Sequence, residues 1–180
     1  QIDQLAQLGL VVEHQLGQRL LAMLGDLTHE RDDVVQRRIA LRGQPMCPET
    51  CAITRLAPTT VNEFVSKARD GFYTGLTFHR VVPEFVVQGG DPEGTGRGGP
   101  GYQFDDEPVK GEYTLGALAM ANAGRNTNGS QFFICIDDCR RKLAPSYNLF
   151  GHVTSGLDVA KSVQVGDVMT TVTVAERPLS

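Results

Sequence analysis

The sequence predicts a mainly β protein, a closed antiparallel barrel with few helices, preceded by a helical N-terminal extension. Three observations support this class. From residue 52 onward, short runs rich in β-branched and aromatic residues recur between glycine-containing turns. The 180 residues include 20 Gly and 9 Pro, which is typical of a chain with many turns. The first 24 residues differ, because their apolar residues recur at the helical spacing of three and four.

The N-terminal extension is predicted to span residues 1–36, followed by the barrel domain at residues 37–180. An amphipathic helix is expected over residues 2–24, with its apolar face formed by Ile2, Leu5, Leu8, Val12, Leu16, Leu20 and Met23 or Leu24. Gly25 and Asp26 end this helix, and a second short helix can start at Asp26. The apolar face must be covered, so the helix either packs on its own domain or docks a partner protein.

The barrel domain is predicted to contain two helices and a series of short strands. The first helix begins near Pro58, a residue favoured in the first helical turn, and the second covers residues 157–163. Strands are expected at residues 76–82, 85–90, 115–121, 131–136, 148–153 and 169–175. Residues 39–41 and 51–53 are candidates for two abbreviated strands, since prolines interrupt the segment between them.

Composition excludes several classes of function. A net charge of −4 and a pI near 5.5 argue against non-specific nucleic-acid binding, which needs a basic face. No apolar run approaches the length of a membrane span, so a soluble chain is expected. The chain begins at Gln1, so the sequence leaves its compartment and any preceding targeting segment open.

Neither the cysteines nor the histidines predict a metal site. The four cysteines form two Cys-x3-Cys pairs, Cys47/Cys51 and Cys135/Cys139, a spacing that some zinc sites share. Cys135 lies in an apolar run, however, and a buried free thiol in a strand is the favoured interpretation. The first pair is the better redox candidate. The four histidines are dispersed without ligand spacing, so no metal or other cofactor is expected.

The run 94–99 (Gly-Thr-Gly-Arg-Gly-Gly) satisfies the Gly-x-Gly-x-x-Gly pattern of dinucleotide-binding folds. That fingerprint requires a strand before it and a helix after it. Pro92 precedes the run and Pro100 follows it, so no helix N-terminus is expected there. A mobile surface loop is the favoured interpretation.

Four motifs between Phe78 and Phe133 combine one arginine, several amides and several aromatic residues between glycine turns. These motifs are Phe78-His79-Arg80, Phe-Val-Val-Gln-Gly-Gly-Asp at 85–91, Met-Ala-Asn-Ala-Gly at 120–124 and Asn-Thr-Asn-Gly-Ser-Gln-Phe-Phe at 126–133. No nucleophile–base pair accompanies them, so the site can hold and polarise a peptide without covalent chemistry. In order and spacing, these motifs resemble the signature of the cyclophilins, the cyclosporin-binding family of peptidyl-prolyl cis–trans isomerases.

The resemblance covers about residues 52–175 and implies an eight-stranded barrel capped by two helices. It fails before residue 52. A cyclophilin normally opens with a two-stranded hairpin just before its Ala-Pro-x-Thr-Val helix, whereas residues 37–54 are short and interrupted by proline. The completeness of the barrel therefore depends on how this segment folds.

Isomerisation of an X–Pro bond has simple chemical requirements. Rotation faces a barrier of about 18–20 kcal/mol, because the nitrogen lone pair is delocalised into the carbonyl. A catalyst must hold the proline ring and bind the twisted state more tightly than either planar state. An arginine directed at the imide nitrogen can weaken the resonance, and its guanidinium stays charged and cannot give up its proton.

The resemblance assigns a role to each candidate site residue. It implies that Arg80 is the catalytic arginine, that Gln88 orients it, and that Asn122 pairs through its backbone with the substrate residue before proline. The implied substrate-binding residues, which line the proline pocket and its shallow wall, are Phe85, Val86, Ala121, Gln131, Phe133, Leu143 and Tyr147.

Two hypotheses about function follow. The first is an active isomerase that acts on proline-containing polypeptides in folding or folded proteins. The alternative is a cyclophilin-fold binding or assembly subunit of a larger complex, docked through the N-terminal extension and with little or no required activity. Family members often carry a tryptophan, which aids cyclosporin binding, where this chain has Lys142 or Leu143. Since the chain contains no Trp, cyclosporin affinity is not predicted.

Overall fold

The computed structural model of the chain describes residues 7–14, 36–38, 49–53 and 56–177. This part of the chain is mainly β, as predicted. Its strands are β1 (Gln7–His14), β2 (Gln36–Arg38), β3 (Glu49–Ile53), β4 (Arg80–Val82), β5 (Val86–Gly89), β6 (Ala117–Met120), β7 (Phe132–Cys135), β8 (Leu149–Ser155) and β9 (Met169–Arg177). Its helices are α1 (Pro58–Arg69) and α2 (Leu157–Ser162).

The strands form one sheet in the order β4-β5-β7-β6-β8-β3-β2-β1-β9, with β3 also pairing with β1. Two details differ from the expected eight-stranded antiparallel barrel. The described residues contribute nine strands, and β1 pairs with β2 in parallel. In this order, β4 and β9 are the two outer strands of the sheet.

Backbone contacts join these two outer strands. Thr77, just before β4, forms an isolated antiparallel bridge with Val168, just before β9. The amide of Phe78 donates to the carbonyl of Asp167 at 2.9 Å, and the amide of Met169 donates to the carbonyl of Leu76 at 2.8 Å. Among the described residues, the order of strands thus returns on itself through this short bridge and the backbone bonds beside it. The predicted strand over residues 76–82 is correspondingly reduced to β4 and the bridge.

The predicted helix over residues 2–24 is wrong for residues 7–14, which form β1. This strand pairs antiparallel with β9 from Gln7–Arg177 to His14–Met169. Leu8, Leu10 and Val12 alternate as well as recurring at helical spacing, and Gly9 weakens a helix, so the local pattern fitted both structures. Residues 2–6 and 15–24, and the second short helix near Asp26, lie outside the described residues.

This correction affects the hypothesis of an assembly subunit. That hypothesis depended on an uncovered helical face, and residues 7–14 instead pair with a strand of the predicted barrel domain. The domain boundary at residue 37 stays a prediction. Of the two abbreviated strands, residues 51–53 lie in β3, and residues 39–41 fall outside the described part of the chain.

Helix α1 covers one part of the core. Pro58 occupies its first turn, where a missing amide proton costs nothing, and Lys67 and Arg69 lie in its last turn. Phe64 is its central buried residue, with its ring centroid 4.7 Å from that of Tyr73, 5.2 Å from Phe132 and 5.0 Å from Phe150. Residues of α1, α2 and the sheet together form the main hydrophobic cluster.

Candidate active site

Strand register places a row of functional side chains on one face of the sheet. Arg80 of β4 pairs with Gln88 of β5, Gln88 pairs with Phe133 of β7, and Phe133 pairs with Ala119 of β6. Directly paired residues in a sheet point to the same side. The cation, the amide and the aromatic ring therefore stand side by side on adjacent strands.

The neighbouring row points to the opposite face and belongs to the core. Val87 pairs with Ile134, which pairs with Leu118, and all three are buried in the main cluster. Phe133 instead belongs to a second buried cluster. The two-residue period of the strands thus separates the side chains that stabilise the fold from those that form the site.

The second cluster gathers the predicted proline pocket. Val86 and Phe133 are buried in it, and the partly buried residues packed against it include Phe85, Ala121, Leu143 and Tyr147. The ring of Phe133 meets that of Tyr147 edge to face, with centroids 5.5 Å apart. Six of the seven predicted substrate-binding residues therefore share one apolar patch.

The seventh residue, Gln131, lies in a polar row beside this patch. Arg80 Nη1 donates to Gln88 Oε1 at 3.1 Å, and Gln88 Nε2 donates to Gln131 Oε1 at 2.9 Å. Arg80 is exposed while the two amides are partly buried. The guanidinium is therefore held at the edge of the patch, where a bound peptide could reach it.

Asn122 lies just beyond the end of β6. Its Nδ2 donates to the carbonyl of Ser146 at 2.9 Å, and the amide of Gly124 donates to its Oδ1 at 3.3 Å. The preceding residue, Ala121, donates its amide to the carbonyl of Gln131 at 2.9 Å. The Asn122 side chain thus fixes the backbone just after β6.

Tyr113 is a residue of this site that the sequence analysis missed. Its hydroxyl donates to the carbonyl of Tyr147 at 2.7 Å and accepts from the amide of Tyr147 at 3.0 Å. Burial raises the pKa of Tyr113. It lies in a connection without any motif, so no local pattern indicated that it would hold the backbone of a pocket residue.

A cleft of about 680 Å³ adjoins the polar row. The cleft is lined on one side by Gln88, Gln131 and residues 121–123, and on the other by residues 96–103. The glycine-rich run is therefore part of the site and not only a surface loop. No helix follows it among the residues between Gly99 and β6, so it lacks the setting of a dinucleotide-binding loop.

The carboxylate of Asp91 holds this loop. It accepts from the amides of Glu93 at 2.8 Å, Thr95 at 2.9 Å and Gly96 at 2.5 Å. Burial alone would raise the pKa of Asp91, but these amides, together with that of Gly98, hold it below its usual value. A charged acceptor thus organises the exposed turns between β5 and the cleft.

The titratable residues near the site do not form a metal centre. Among the described residues, no group of three or more His, Cys, Asp or Glu side chains could hold a metal ion. Cys135 and Cys139 are buried free thiols, and burial raises the pKa of both. Cys51 lies in β3, and Cys47 is outside the described residues. His79 is partly buried beside Arg80, and burial lowers its pKa.

No helix within the described part of the chain is both long and apolar enough to cross a membrane. The longer of the helices found there, α1, has only 12 residues.

Comparison with known proteins identifies the family. Residues 53–180 match the model of the family described as cyclophilin type peptidyl-prolyl cis-trans isomerase/CLD. Peptidyl-prolyl cis-trans isomerase B of Bacillus subtilis is 53% identical over 115 residues, which cover 63% of this chain and 80% of that protein. A peptidyl-prolyl cis-trans isomerase of Helicobacter pylori is 45% identical over 120 residues, covering 64% of this chain and 73% of the relative.

A solved structure shares the fold. It is a cyclophilin type peptidyl-prolyl cis-trans isomerase of Cryptosporidium parvum, determined in the presence of the dipeptide Ala-Pro, with a TM-score of 0.66 and 28% sequence identity. The similarity covers 73% of this chain and 94% of that one. Fold, family match and relatives agree, and the chain belongs to the cyclophilin family of peptidyl-prolyl cis–trans isomerases.

Proposed function

We propose that the chain isomerises X–Pro bonds on the sheet face that carries Arg80, Gln88 and Phe133. One observation carries this assignment. The Arg80 guanidinium is hydrogen-bonded to Gln88 at 3.1 Å, and Gln88 pairs with the buried Phe133 on the next strand. A proline ring seated on the apolar patch would therefore place its imide nitrogen beside a permanent cation.

The reaction needs no acid, base or nucleophile. As the peptide bond twists, the nitrogen pyramidalises and its lone pair becomes available to a hydrogen-bond donor. Arg80 donates to it, and this contact exists only in the twisted state, so it lowers the barrier without tightening ground-state binding. The lone pair is then less delocalised into the carbonyl, and the C–N bond rotates more easily.

The remaining residues hold the peptide on either side of the rotating bond. The proline ring packs against Phe85, Val86, Phe133 and Leu143. The backbone at Asn122 pairs with the residue before proline. Ala121 and Gln131 form the wall beside the pocket, and Tyr147 presents a ring edge to Phe133 and a hydroxyl to the substrate. The substrates are proline-containing polypeptides, and the residue before proline is loosely specified.

The test is a protease-coupled isomerisation assay on an Ala-Pro tetrapeptide with wild type and Arg80→Ala. Removing a donor that acts only in the transition state is expected to lower kcat/KM by about 10²-fold or more. Arg69→Ala is the matched control, because it removes an arginine at the end of α1, away from the proposed site, and should leave turnover unchanged. A folded Arg80→Ala protein with wild-type turnover would overturn the mechanism.

A further inference from the structure

The polar row extends beyond the two amides to a backbone carbonyl. Gln131 Nε2 donates to the carbonyl oxygen of Gly98 at 2.9 Å. With the Arg80–Gln88 and Gln88–Gln131 bonds, this completes an unbroken relay of three hydrogen bonds from the exposed guanidinium to the glycine-rich loop.

The two ends of this relay determine how both amides are oriented. A guanidinium can only donate and a backbone carbonyl can only accept, whereas a primary amide presents a donor on one side and an acceptor on the other. The Gly98 carbonyl requires the amino group of Gln131, which turns the Gln131 oxygen toward Gln88. Gln88 must then donate to Gln131 and present its own oxygen to Arg80. Flipping either amide would set two donors or two acceptors against each other.

We propose that the Gly98 carbonyl, acting through Gln131 and Gln88, positions the Arg80 guanidinium for catalysis, and that Asp91 holds this carbonyl in place. The proposal rests on the catalytic role of Arg80 proposed above. It makes Gln131, Gly98 and Asp91 positioning residues, since none of them needs to touch the rotating bond.

The contacts of Asp91 explain why the carbonyl lies there. Asp91 is 1% exposed, and its carboxylate gathers the amides that precede Gly98 in the loop. A Cβ atom built on Gly98 would lie 2.1 Å from Asp91 Oδ1 and 2.9 Å from Glu93 Cγ. The loop therefore closes tightly on the carboxylate at the residue whose carbonyl ends the relay, and only glycine fits there.

The relay restricts the mobility of the Arg80 side chain. Arg80 is exposed on the short strand β4, and an unrestrained arginine side chain samples many rotamers. An acceptor fixed at 3.1 Å confines the guanidinium before the substrate arrives. The proline pocket belongs to a separate apolar cluster, so loss of the relay should lower kcat while ground-state binding persists.

The decisive variant is Gln131→Glu, which keeps the shape of the side chain but removes its only donor group. A carboxylate oxygen would then face the Gly98 carbonyl. We expect kcat to fall by about tenfold to hundredfold. The Kd of an Ala-Pro tetrapeptide, measured by titration at low temperature, should rise by a much smaller factor than kcat falls, because Gln131 lines only the wall beside the pocket. Gln164→Glu, the same change on an exposed turn after α2, is the matched control and should leave both values unchanged.

Further measurements distinguish a loss of Arg80 positioning from a general loss of stability. The Arg80 Nε–Hε NMR signal should move in Gln131→Glu toward the position of freely rotating arginines, while the unfolding midpoint stays near that of the control. In the Arg80→Ala background, Gln131→Glu should cause no additional loss of kcat, because the two residues act through one contact. Gly98→Ala, which forces the loop away from Asp91, should reproduce the NMR shift.

The outcomes distinguish this proposal from the one on which it rests. If Arg80→Ala is inactive but Gln131→Glu keeps wild-type kcat, the relay is wrong and the catalytic arginine stands. If Gln131→Glu weakens peptide binding in proportion to its loss of kcat, Gln131 is only a wall of the pocket. Additive losses in the double variant would also overturn the relay. Full activity of Arg80→Ala would remove the foundation of both proposals.

Discussion

At the scale of single residues, the site depends on specific hydrogen bonds of its polar groups. Arg80 is held by Gln88, Asn122 is held by the Ser146 carbonyl, and Tyr147 is held through its backbone by the Tyr113 hydroxyl. The contacts of Asn122 and Tyr147 join segments 24 and 34 residues apart in sequence, whereas Arg80 and Gln88 lie on neighbouring strands, eight residues apart. Tyr113 is buried, where an unpaired polar group is costly, so the two bonds of its hydroxyl favour one arrangement of the Tyr147 backbone.

Tyr113→Phe tests the contribution of one such residue. The hydroxyl is both donor and acceptor for the Tyr147 backbone, and Tyr113 is only 3% exposed, so its loss leaves an amide and a carbonyl with reduced pairing. We expect a loss of about 1–3 kcal/mol in the free energy of unfolding, measured by urea denaturation. Tyr147→Phe is the comparison, since it removes a neighbouring hydroxyl without touching either bond. Equal effects of the two changes would contradict this role of Tyr113.

At the scale of elements, the chain requires a glycine at position 90, just after β5 and two residues after Gln88. Gly90 has a φ of +84°, and a Cβ there would lie 2.5 Å from the Ser130 carbonyl oxygen and 3.0 Å from a ring carbon of Phe132. The chain turns at this point from Gln88 toward Asp91. Gly90 thus connects β5, which carries Gln88, to the loop at the end of the relay. The space around Gly90 leaves no room for a side chain.

Gly90→Ala should therefore cost more than its backbone conformation alone. A left-handed φ costs an alanine about 1–2 kcal/mol, and the clash with the Ser130 backbone should add about 1–3 kcal/mol. Gly71→Ala isolates the first cost, because Gly71 has a φ of +73° and nothing within 4 Å of the added carbon. The measurement is denaturant unfolding of both variants. Equal destabilisation would show that the end of β5 relaxes away from Ser130.

At the scale of the whole molecule, the short bridge between Thr77 and Val168 joins the two outer strands of the sheet. An unpaired sheet edge exposes donors and acceptors that another chain can pair with. The bonds from the Phe78 and Met169 amides satisfy these groups where the edges meet. The bridge also lies at the entry to β4, which carries Arg80.

Hydrogen exchange tests this closure. If the bridge is part of the cooperative fold, the Phe78 and Met169 amides should exchange about as slowly as those at the centre of β7. The Arg97 amide, in the exposed glycine-rich run, gives the reference for rapid local opening. Exchange of Phe78 and Met169 at the Arg97 rate would mean that the sheet opens between β4 and β9 while the rest stays folded.

The sequence alone was sufficient for the parts of the molecule whose pattern is local. The β-branched and aromatic runs at residues 85–90 and 131–136 predicted β5 and β7, and a proline followed by apolar residues at helical spacing predicted α1. The motif order from Phe78 to Phe133 indicated the family, which the comparisons then confirmed. These features depend on neighbours in the chain, so periodicity and turn chemistry carry them.

Tertiary structure decided the features that depend on distant partners. Residues 7–14 are a strand because β9 pairs with them, although their spacing also suits a helix. Tyr113 and the Gly98 carbonyl entered the site because they bond to Tyr147 and Gln131, which lie 34 and 33 residues away in sequence. No local pattern records such a contact, because its free energy arises only when the chain brings the two segments together.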